Sequence, residues 1–261
     1  MKKILFAITT YNQLDYTKIC IDSILNIDKK NFDLDILVID DFSDDDTVKW
    51  CKENKINVYE KDNPKGLTHS WNKSVEIFQK NNYDYLVIAN NDLIIPNGSL
   101  DELISVLDKY PCSTVVPMST KNGVGHNPVQ DINNFYPNLK GLADNPNSCQ
   151  MVQDSLLDIK AQLKQTKDLF KVDPFRMKHF NGFFFMFNKN IINYINKEGW
   201  VFDPKNIMTK NEDEFNWSNL IPNDDFPAVC KTSFVFHYKG VTTKGDLRNN
   251  EKWKETRFGD G

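Results

Sequence analysis

The chain has 261 residues, of which 40% are hydrophobic, and its formal net charge is -4. This composition suffices for one sizeable hydrophobic core, and no apolar run is long enough to span a membrane. The acidic balance with mixed signs argues against a dedicated nucleic-acid-binding surface. The five cysteines are scattered without metal-ligand spacing, which favours reduced thiols and a cytoplasmic location, in the host cytoplasm for a viral protein.

The first part of the chain alternates between strand-like and helix-like segments. Apolar runs predict buried strands over residues 4–9, 34–39, 56–59, 85–89 and 113–117. Apolar residues near helical spacing predict intervening helices over 15–25, 48–54, 68–78 and 100–107. This rhythm predicts an α/β fold in which helices cover both faces of a mostly parallel sheet.

The remainder of the chain is less regular. Residues 119–146 are rich in Asn, Gly and Pro and predict a long loop. An amphipathic pattern predicts a helix over 150–170, and apolar runs predict strands over 180–187 and 228–237. Because no repeat or linker interrupts these segments, we expect a single domain over residues 1–261.

Four polar clusters follow strands of the predicted sheet, at 9–12, 40–41, 63–72 and 90–92. Each alone is typical of a turn or a helix cap. Because the carboxyl ends of parallel strands meet at one edge of a sheet, the four together predict a site for a nucleotide-type ligand. A carboxylate beside buried strands is costly unless it is paired, so Asp92 is either a turn residue or the anchor of a bound cation.

The order of these clusters resembles that of the family 2 glycosyltransferases of GT-A fold. The matching segments are Thr9-Thr10-Tyr11-Asn12, Asp40-Asp41-Phe42-Ser43-Asp44 and Asn90-Asn91-Asp92. The loop 63–66 with Asn72 is similar to a segment of rhamnosyltransferase-like members. The resemblance covers residues 3–118 and resumes at Asn181-Gly182, Glu212-Asp213 and His237. It implies a nucleotide-binding half over 1–118 and an acceptor-binding half over 119–261.

The resemblance also implies a set of residues that contact the nucleotide. These are Thr9, Tyr11, Asp41, Asn63, Asn72, Asn90 and Asn91. Asp41 is expected to accept a ring N–H of the base, which fits a uracil or thymine donor, and Asn90 is expected to bond the ribose. Asp92 and His237 are the expected ligands of Mn²⁺ or Mg²⁺ bridging the diphosphate. A second register, with Asn91 at the metal position, stays open.

The catalytic base is expected in the segment Asn211-Glu212-Asp213-Glu214-Phe215, which resembles the family's E-D-x-[DE]-[LF] motif. In inverting members the Asp of this motif is the base, which gives Asp213 that role here. Like-charge repulsion from Glu212 and Glu214 would raise its proton affinity. The alternative interpretation is a set of carboxylates favoured at a helix N-terminus.

These expectations combine into a metal-dependent, inverting transferase of hexosyl or pentosyl groups. It would move a sugar from a UDP- or dTDP-linked donor to a hydroxyl of a glycan or glycoprotein during glycan biosynthesis. The acidic balance disfavours a nucleic-acid base as acceptor. A nucleotidyltransferase is one alternative, but its usual Gly-rich N-terminal loop is missing from residues 9–13. The other is a non-catalytic nucleotide- or sugar-binding protein of the same fold. The donor sugar, the acceptor and the oligomeric state stay open.

Overall fold

The computed structural model describes residues 1–125, 127–166, 171–177, 180–204, 225, 227–239 and 241. The strands of this part of the chain are Lys2–Thr10 (β1), Phe32–Asp40 (β2), Asn57–Glu60 (β3), Tyr85–Asn90 (β4), Leu93–Ile94 (β5), Thr114–Met118 (β6), Phe175–Arg176 (β7), Phe184–Asn188 (β8), Ala228–Phe234 (β9) and Phe236–His237 (β10). The helices are Leu14–Leu25 (α1), Thr47–Glu53 (α2), Leu67–Lys80 (α3), Ser99–Lys109 (α4), Lys121–Val124 (α5), Ile132–Phe135 (α6), Lys140–Ala143 (α7) and Cys149–Thr166 (α8). Short 3₁₀ helices cover Pro137–Leu139, Pro146–Ser148 and Lys189–Tyr194.

Eight strands form one mixed sheet in the order β3-β2-β1-β4-β8-β6-β9-β7. Strands β1 to β4 are mutually parallel, and β6 is parallel to β9. Strand β8 runs antiparallel between β4 and β6, and β7 pairs antiparallel with β9. The predicted α/β fold is therefore confirmed, and the carboxyl ends of β1, β2 and β4 meet at one edge.

Both faces of the sheet are buried, which explains why its strands are almost continuously apolar. Within β1, Ile4, Phe6 and Ile8 face one hydrophobic cluster, which includes residues of α1 and α4. Leu5 and Ala7 face the other cluster, which includes residues of α3 and α8. Alternation along one strand thus places the sheet between two layers of helices.

The segment 119–146 differs from its prediction as a long loop. It contains α5, α6, α7 and the 3₁₀ helix Pro137–Leu139, and a second 3₁₀ helix begins at Pro146. Its polar residues cap these short helices: the Thr120 side chain accepts from Gly123 N, and the Asp131 side chain accepts from Asn133 N. The prediction was wrong because residues that favour turns also favour helix N-caps.

A second, two-stranded sheet completes the edge that holds the polar clusters. Strands β5 and β10 pair antiparallel, with His237 opposite Leu93, and Tyr238 N donates to Asp92 O over 3.0 Å. Residues that are distant in sequence therefore meet directly after β4. No helix within the described ranges is long and apolar enough to cross a membrane.

Candidate functional site

The turns that follow β1 and β2 form one interlocked unit. Asn12 adopts a left-handed backbone conformation (φ 54°), and its Nδ2 donates to Asp44 Oδ1 over 2.7 Å. In return, Asp44 N donates to Asn12 Oδ1 over 2.9 Å, while Asn12 N donates to Ser43 Oγ over 2.7 Å. The first two sequence motifs are therefore parts of a single structure, because each supplies the partners of the other.

The Asp40 side chain stabilises these two turns through hydrogen bonds. Its Oδ1 accepts from Thr10 Oγ1 over 3.0 Å and from Ser43 Oγ over 2.5 Å, and its Oδ2 accepts from Ser43 N over 2.9 Å. Both oxygens are thus engaged in shaping the turn, and the adjacent carboxylate, Asp41, is the one directed toward the loop after β3.

Asp41 is a buried carboxylate held by a cluster of donors. Its side chain accepts from Lys61 Nζ over 2.9 Å, from Lys65 N over 2.8 Å and from Gly66 N over 3.1 Å. Gly66 has φ 83°, a conformation that glycine adopts without steric cost, so the main chain can bring both amides to one oxygen. The Lys61 side chain is fully buried, and the sequence did not single it out.

Thr9 and Asn90 lie opposite each other where β1 and β4 end. Thr9 Oγ1 donates to Ala89 O over 3.2 Å, which fixes its side chain at the sheet edge. Asn90 is half-buried, and its main-chain N donates to Phe183 O over 2.9 Å. Tyr11 is half-buried in the turn after β1, and Asn63 is exposed on the loop after β3. Their predicted contacts with a nucleotide stay predictions.

Two other predicted nucleotide residues are engaged in holding the fold together. Asn72 Oδ1 accepts from Val201 N and Phe202 N, each over 2.9 Å, and Asn72 Nδ2 donates to Phe202 O over 2.6 Å. Asn91 is buried, and its Nδ2 donates to Thr17 Oγ1 of α1 over 2.9 Å. The bond engages the amide nitrogen, and the metal register at Asn91 or Asp92 stays a prediction. Nucleotide contacts of Asn72 and Asn91 also stay predictions.

Asp92 and His237 form a buried pair in which two hydrogen-bond acceptors face each other. Asp92 Oδ1 lies 3.3 Å from His237 Nε2, and both side chains are less than a tenth exposed. His237 Nδ1 lies 2.8 Å from Gly123 O, and because a carbonyl oxygen only accepts, Nδ1 carries the proton. In the neutral ring Nε2 is then a lone pair, and Asp92 Oδ1 has no hydrogen-bond partner among the described residues. Two acceptors facing each other are stable with a proton or a cation between them.

The residues around this pair fix the imidazole in place. The Phe183 ring stacks on His237 with centroids 4.8 Å apart and planes inclined by 18°. Gly123 packs so closely that an added Cβ would collide with Ser119 Oγ and lie 3.2 Å from His237 Cβ. A backbone carbonyl that fixes the tautomer is the usual support of a metal-binding histidine.

The pair fits a divalent cation that takes its remaining ligands from a phosphorylated substrate. Carboxylate oxygen and neutral imidazole both bind Mn²⁺, and such ions often keep waters and substrate phosphates as ligands. No group of three His, Cys, Asp or Glu suited to a metal occurs within the ranges that the structure describes. The predicted base Asp213, with Glu212 and Glu214, lies outside the described residues.

A polar cavity of about 580 Å³ lies beside α5. Its walls include Lys121, Asp131, Asn133 and Lys140, and its size is within the usual range for small-molecule sites. Gly125 also lines it, and a Cβ there would lie 2.5 Å from Lys239 Nζ. The cavity is therefore adjacent to the segment that follows the Asp92–His237 pair.

The architecture is the GT-A fold that the motif order predicted. The sequence profile described as glycosyl transferase family 2 matches residues 6–195. The chain therefore belongs to glycosyltransferase family 2. A comparison with curated protein sequences finds no match.

Solved glycosyltransferase structures share this fold at low sequence identity. GalNAc-T7 with UDP, GalNAc and Mn²⁺ has a TM-score of 0.63 and 13% identity, over 91% of this chain and 44% of that one. A mannosyltransferase of Pyrobaculum calidifontis with GDP-Man and Mn²⁺ has a TM-score of 0.56 and 13% identity, over 90% of this chain and 56% of that one. S. aureus TarS in complex with UDP-GlcNAc has a TM-score of 0.55 and 14% identity, over 90% of this chain and 58% of that one. The chain thus spans about half the length of these proteins.

Proposed function

We propose that the protein transfers a sugar from a nucleoside diphosphate donor, UDP- or dTDP-linked, to a hydroxyl group of a glycan or glycoprotein. The observation that carries this proposal is the facing pair of acceptors, Asp92 Oδ1 and His237 Nε2, at the sheet edge that also holds Asp41. Such a pair is suited to a cation that binds a diphosphate. Family membership and neighbours that hold nucleotides with Mn²⁺ support the same function.

On the donor side, Asp41 accepts a ring N–H of the nucleobase, while Thr9 and Asn90 lie at the adjoining strand ends. Asp92 and His237 would hold Mn²⁺ or Mg²⁺, which when bound would supply positive charge to stabilise a diphosphate leaving group. We further propose that the protein belongs to the rhamnosyltransferase-like subgroup, transfers a hexosyl or pentosyl group and is cytoplasmic. The motif resemblance and the cysteine usage support them.

On the acceptor side, Asp213 takes the proton of the attacking hydroxyl. A single base with in-line displacement inverts the configuration at the anomeric carbon. The polar cavity beside α5 accommodates part of the acceptor, because its lysine, aspartate and asparagine side chains can bond to hydroxyl groups. This arrangement corresponds to a nucleotide-binding half over residues 1–118 and an acceptor-binding half over 119–261, within one domain.

Calorimetric titration with UDP, dTDP and GDP, each with and without Mn²⁺, tests the donor side. We expect tight binding of UDP or dTDP that Mn²⁺ strengthens, and a loss of this strengthening in Asp92→Ala. Binding of GDP but of neither UDP nor dTDP would contradict the proposed uracil- or thymine-bearing donor. A non-catalytic protein of this fold would bind the nucleotide yet form no product with any acceptor, and Asp213→Asn would then change nothing.

A further inference from the structure

Lys61 is a buried cation at the candidate nucleotide edge, directly after β3. Its side chain is completely inaccessible to solvent. The ammonium donates to Asp41 Oδ1 over 2.9 Å, to Gly66 O over 2.8 Å and to Ser70 Oγ over 2.6 Å. An ammonium has three donors, and here each of them has a partner. A lysine is almost never buried this completely unless it is paired, so the arrangement calls for a specific role.

We propose that Lys61 is a positioning residue for nucleobase recognition, whose ammonium keeps the buried Asp41 ionised and aimed at the base. The proposal rests on the proposed function, in which Asp41 accepts a ring N–H. Lys61 also links three elements around Asp41, because its ammonium bonds to Asp41 after β2, to Gly66 in the loop and to Ser70 on α3.

The physical reason lies in the protonation state that a base-reading carboxyl must have. To accept a ring N–H the group must be a carboxylate, yet burial favours its neutral form. Without Lys61, Asp41 would keep the amide donors of Lys65 and Gly66 but lose its counter-ion. The pKa of Asp41 would then rise. A protonated Asp41 would present an O–H to the ring N–H of the base, and two donors cannot form a hydrogen bond.

The charges around Lys61 make this device sensitive to pH near neutrality. Burial lowers the pKa of Lys61 to about 7, Asp40 opposes this shift, and Lys65 reinforces it. The titratable groups that interact with Lys61 come from three elements and are Asp40 and Asp41 at the end of β2, Lys65 in the loop, and His69 on α3. As pH rises through the pKa of Lys61, the ammonium becomes a neutral amine and Asp41 loses its counter-ion. Affinity for the base should therefore fall as pH rises, toward the affinity of a protein that lacks the ammonium.

Calorimetric titration of UDP with saturating Mn²⁺, between about pH 6 and pH 8.5, tests the proposal in the wild type and three variants. The variants are Lys61→Met, Lys61→Arg and the control Lys160→Met. The control breaks another largely buried ion pair, in which Lys160 Nζ lies 2.5 Å from Glu102 Oε2, between α8 and α4. All four proteins share the titration of UDP itself, so the ratios of their affinities isolate the protein groups.

We expect Lys61→Met to weaken UDP binding about tenfold or more near neutral pH, as truncating one partner of a buried charge pair does. Its affinity should rise with pH as Asp41 ionises, whereas that of the wild type and Lys160→Met should fall. Lys61→Arg stays charged over this range and should show little pH dependence. Circular dichroism checks that each variant is folded.

Two results would overturn the proposal: a folded Lys61→Met with wild-type affinity and pH slope, or a Lys61→Arg that retains the wild-type decline with pH. The second result does not depend on whether the methionine variant folds. Failure of the proposed function has a different signature, because the wild type and Lys160→Met would then bind no nucleoside diphosphate at any pH.

Discussion

The substitution Gly123→Ala should damage the candidate metal site without touching either ligand. Gly123 O fixes the His237 tautomer from 2.8 Å, and a Cβ on Gly123 would collide with Ser119 Oγ and lie 3.2 Å from His237 Cβ. Because protein interiors are close-packed, overfilling of this kind typically costs about 1–3 kcal/mol of stability. A shift of α5 or of the imidazole that removes these close contacts would break the hydrogen bond between Gly123 O and His237 Nδ1. Loss of a hydrogen bond that supports a metal ligand typically lowers metal affinity ~10–100-fold.

Two measurements separate these effects: Mn²⁺ titration in the presence of UDP gives the metal affinity, and urea denaturation gives the free energy of unfolding. Gly141→Ala in α7 is the matched control, since a Cβ there meets nothing within 4 Å. It should stabilise the protein by roughly 0.5–1 kcal/mol and leave Mn²⁺ affinity unchanged.

Ser119→Ala supplies the corresponding rescue. Ser119 Oγ is buried and has no hydrogen-bond partner within the described part of the chain. Its removal alone should leave stability unchanged or raise it by up to about 1 kcal/mol. The double variant with Gly123→Ala should regain part of the lost Mn²⁺ affinity. If Gly123→Ala binds Mn²⁺ like the wild type, the role assigned to the Gly123 carbonyl is refuted.

Three further substitutions have expected outcomes. Asp92→Asn should abolish the strengthening of UDP binding by Mn²⁺, measured by calorimetry, because a neutral amide is a much weaker ligand than a carboxylate. Asp213→Asn should slow sugar transfer by ~10²–10⁴-fold in a product-formation assay and leave UDP affinity unchanged. Burial, reinforced by nearby lysines, lowers the pKa of His69 from 6.5 to about 4. The unfolded chain therefore binds this proton first, and stability is lost as pH falls from 6.5 toward 4. His69→Gln should reduce that loss of unfolding free energy by about 1 kcal/mol, after allowance for partial solvent exposure. Denaturation measured at several pH values between 6.5 and 4 checks this.

The strand ends of the site were accessible from sequence because they follow from local pattern. Continuous apolar runs marked the buried strands, and the polar residues after them had to meet at one sheet edge once the sheet was parallel. Thr9, Asp41 and Asn90 lie at that edge, and Asp92 follows directly. The structure adds that Asn12 and Asp44 bond to each other, so the first two motifs form one structural unit.

Other features of the site depend on tertiary contacts that no local pattern records. Lys61 follows a short strand and has no sequence signal that distinguishes it from an exposed lysine. The amides of Asn72 and Asn91 bond to the rest of the fold, although the same residue type serves equally well as a ligand. The polar segment 119–146 indicated a loop, yet it folds into α5, whose Gly123 carbonyl orients His237.

Calorimetric titration of the wild-type protein with UDP, with and without Mn²⁺, tests the central claim most directly. If Asp41 reads the base while Asp92 and His237 hold the cation, UDP should bind and Mn²⁺ should strengthen binding by about tenfold or more, the effect expected of a cation that bridges protein and diphosphate. The combined variant Asp92→Ala/His237→Ala should lose that strengthening and keep the weaker, metal-independent binding. UDP affinity that Mn²⁺ leaves unchanged would contradict the proposed site, and so would a protein that binds no nucleoside diphosphate.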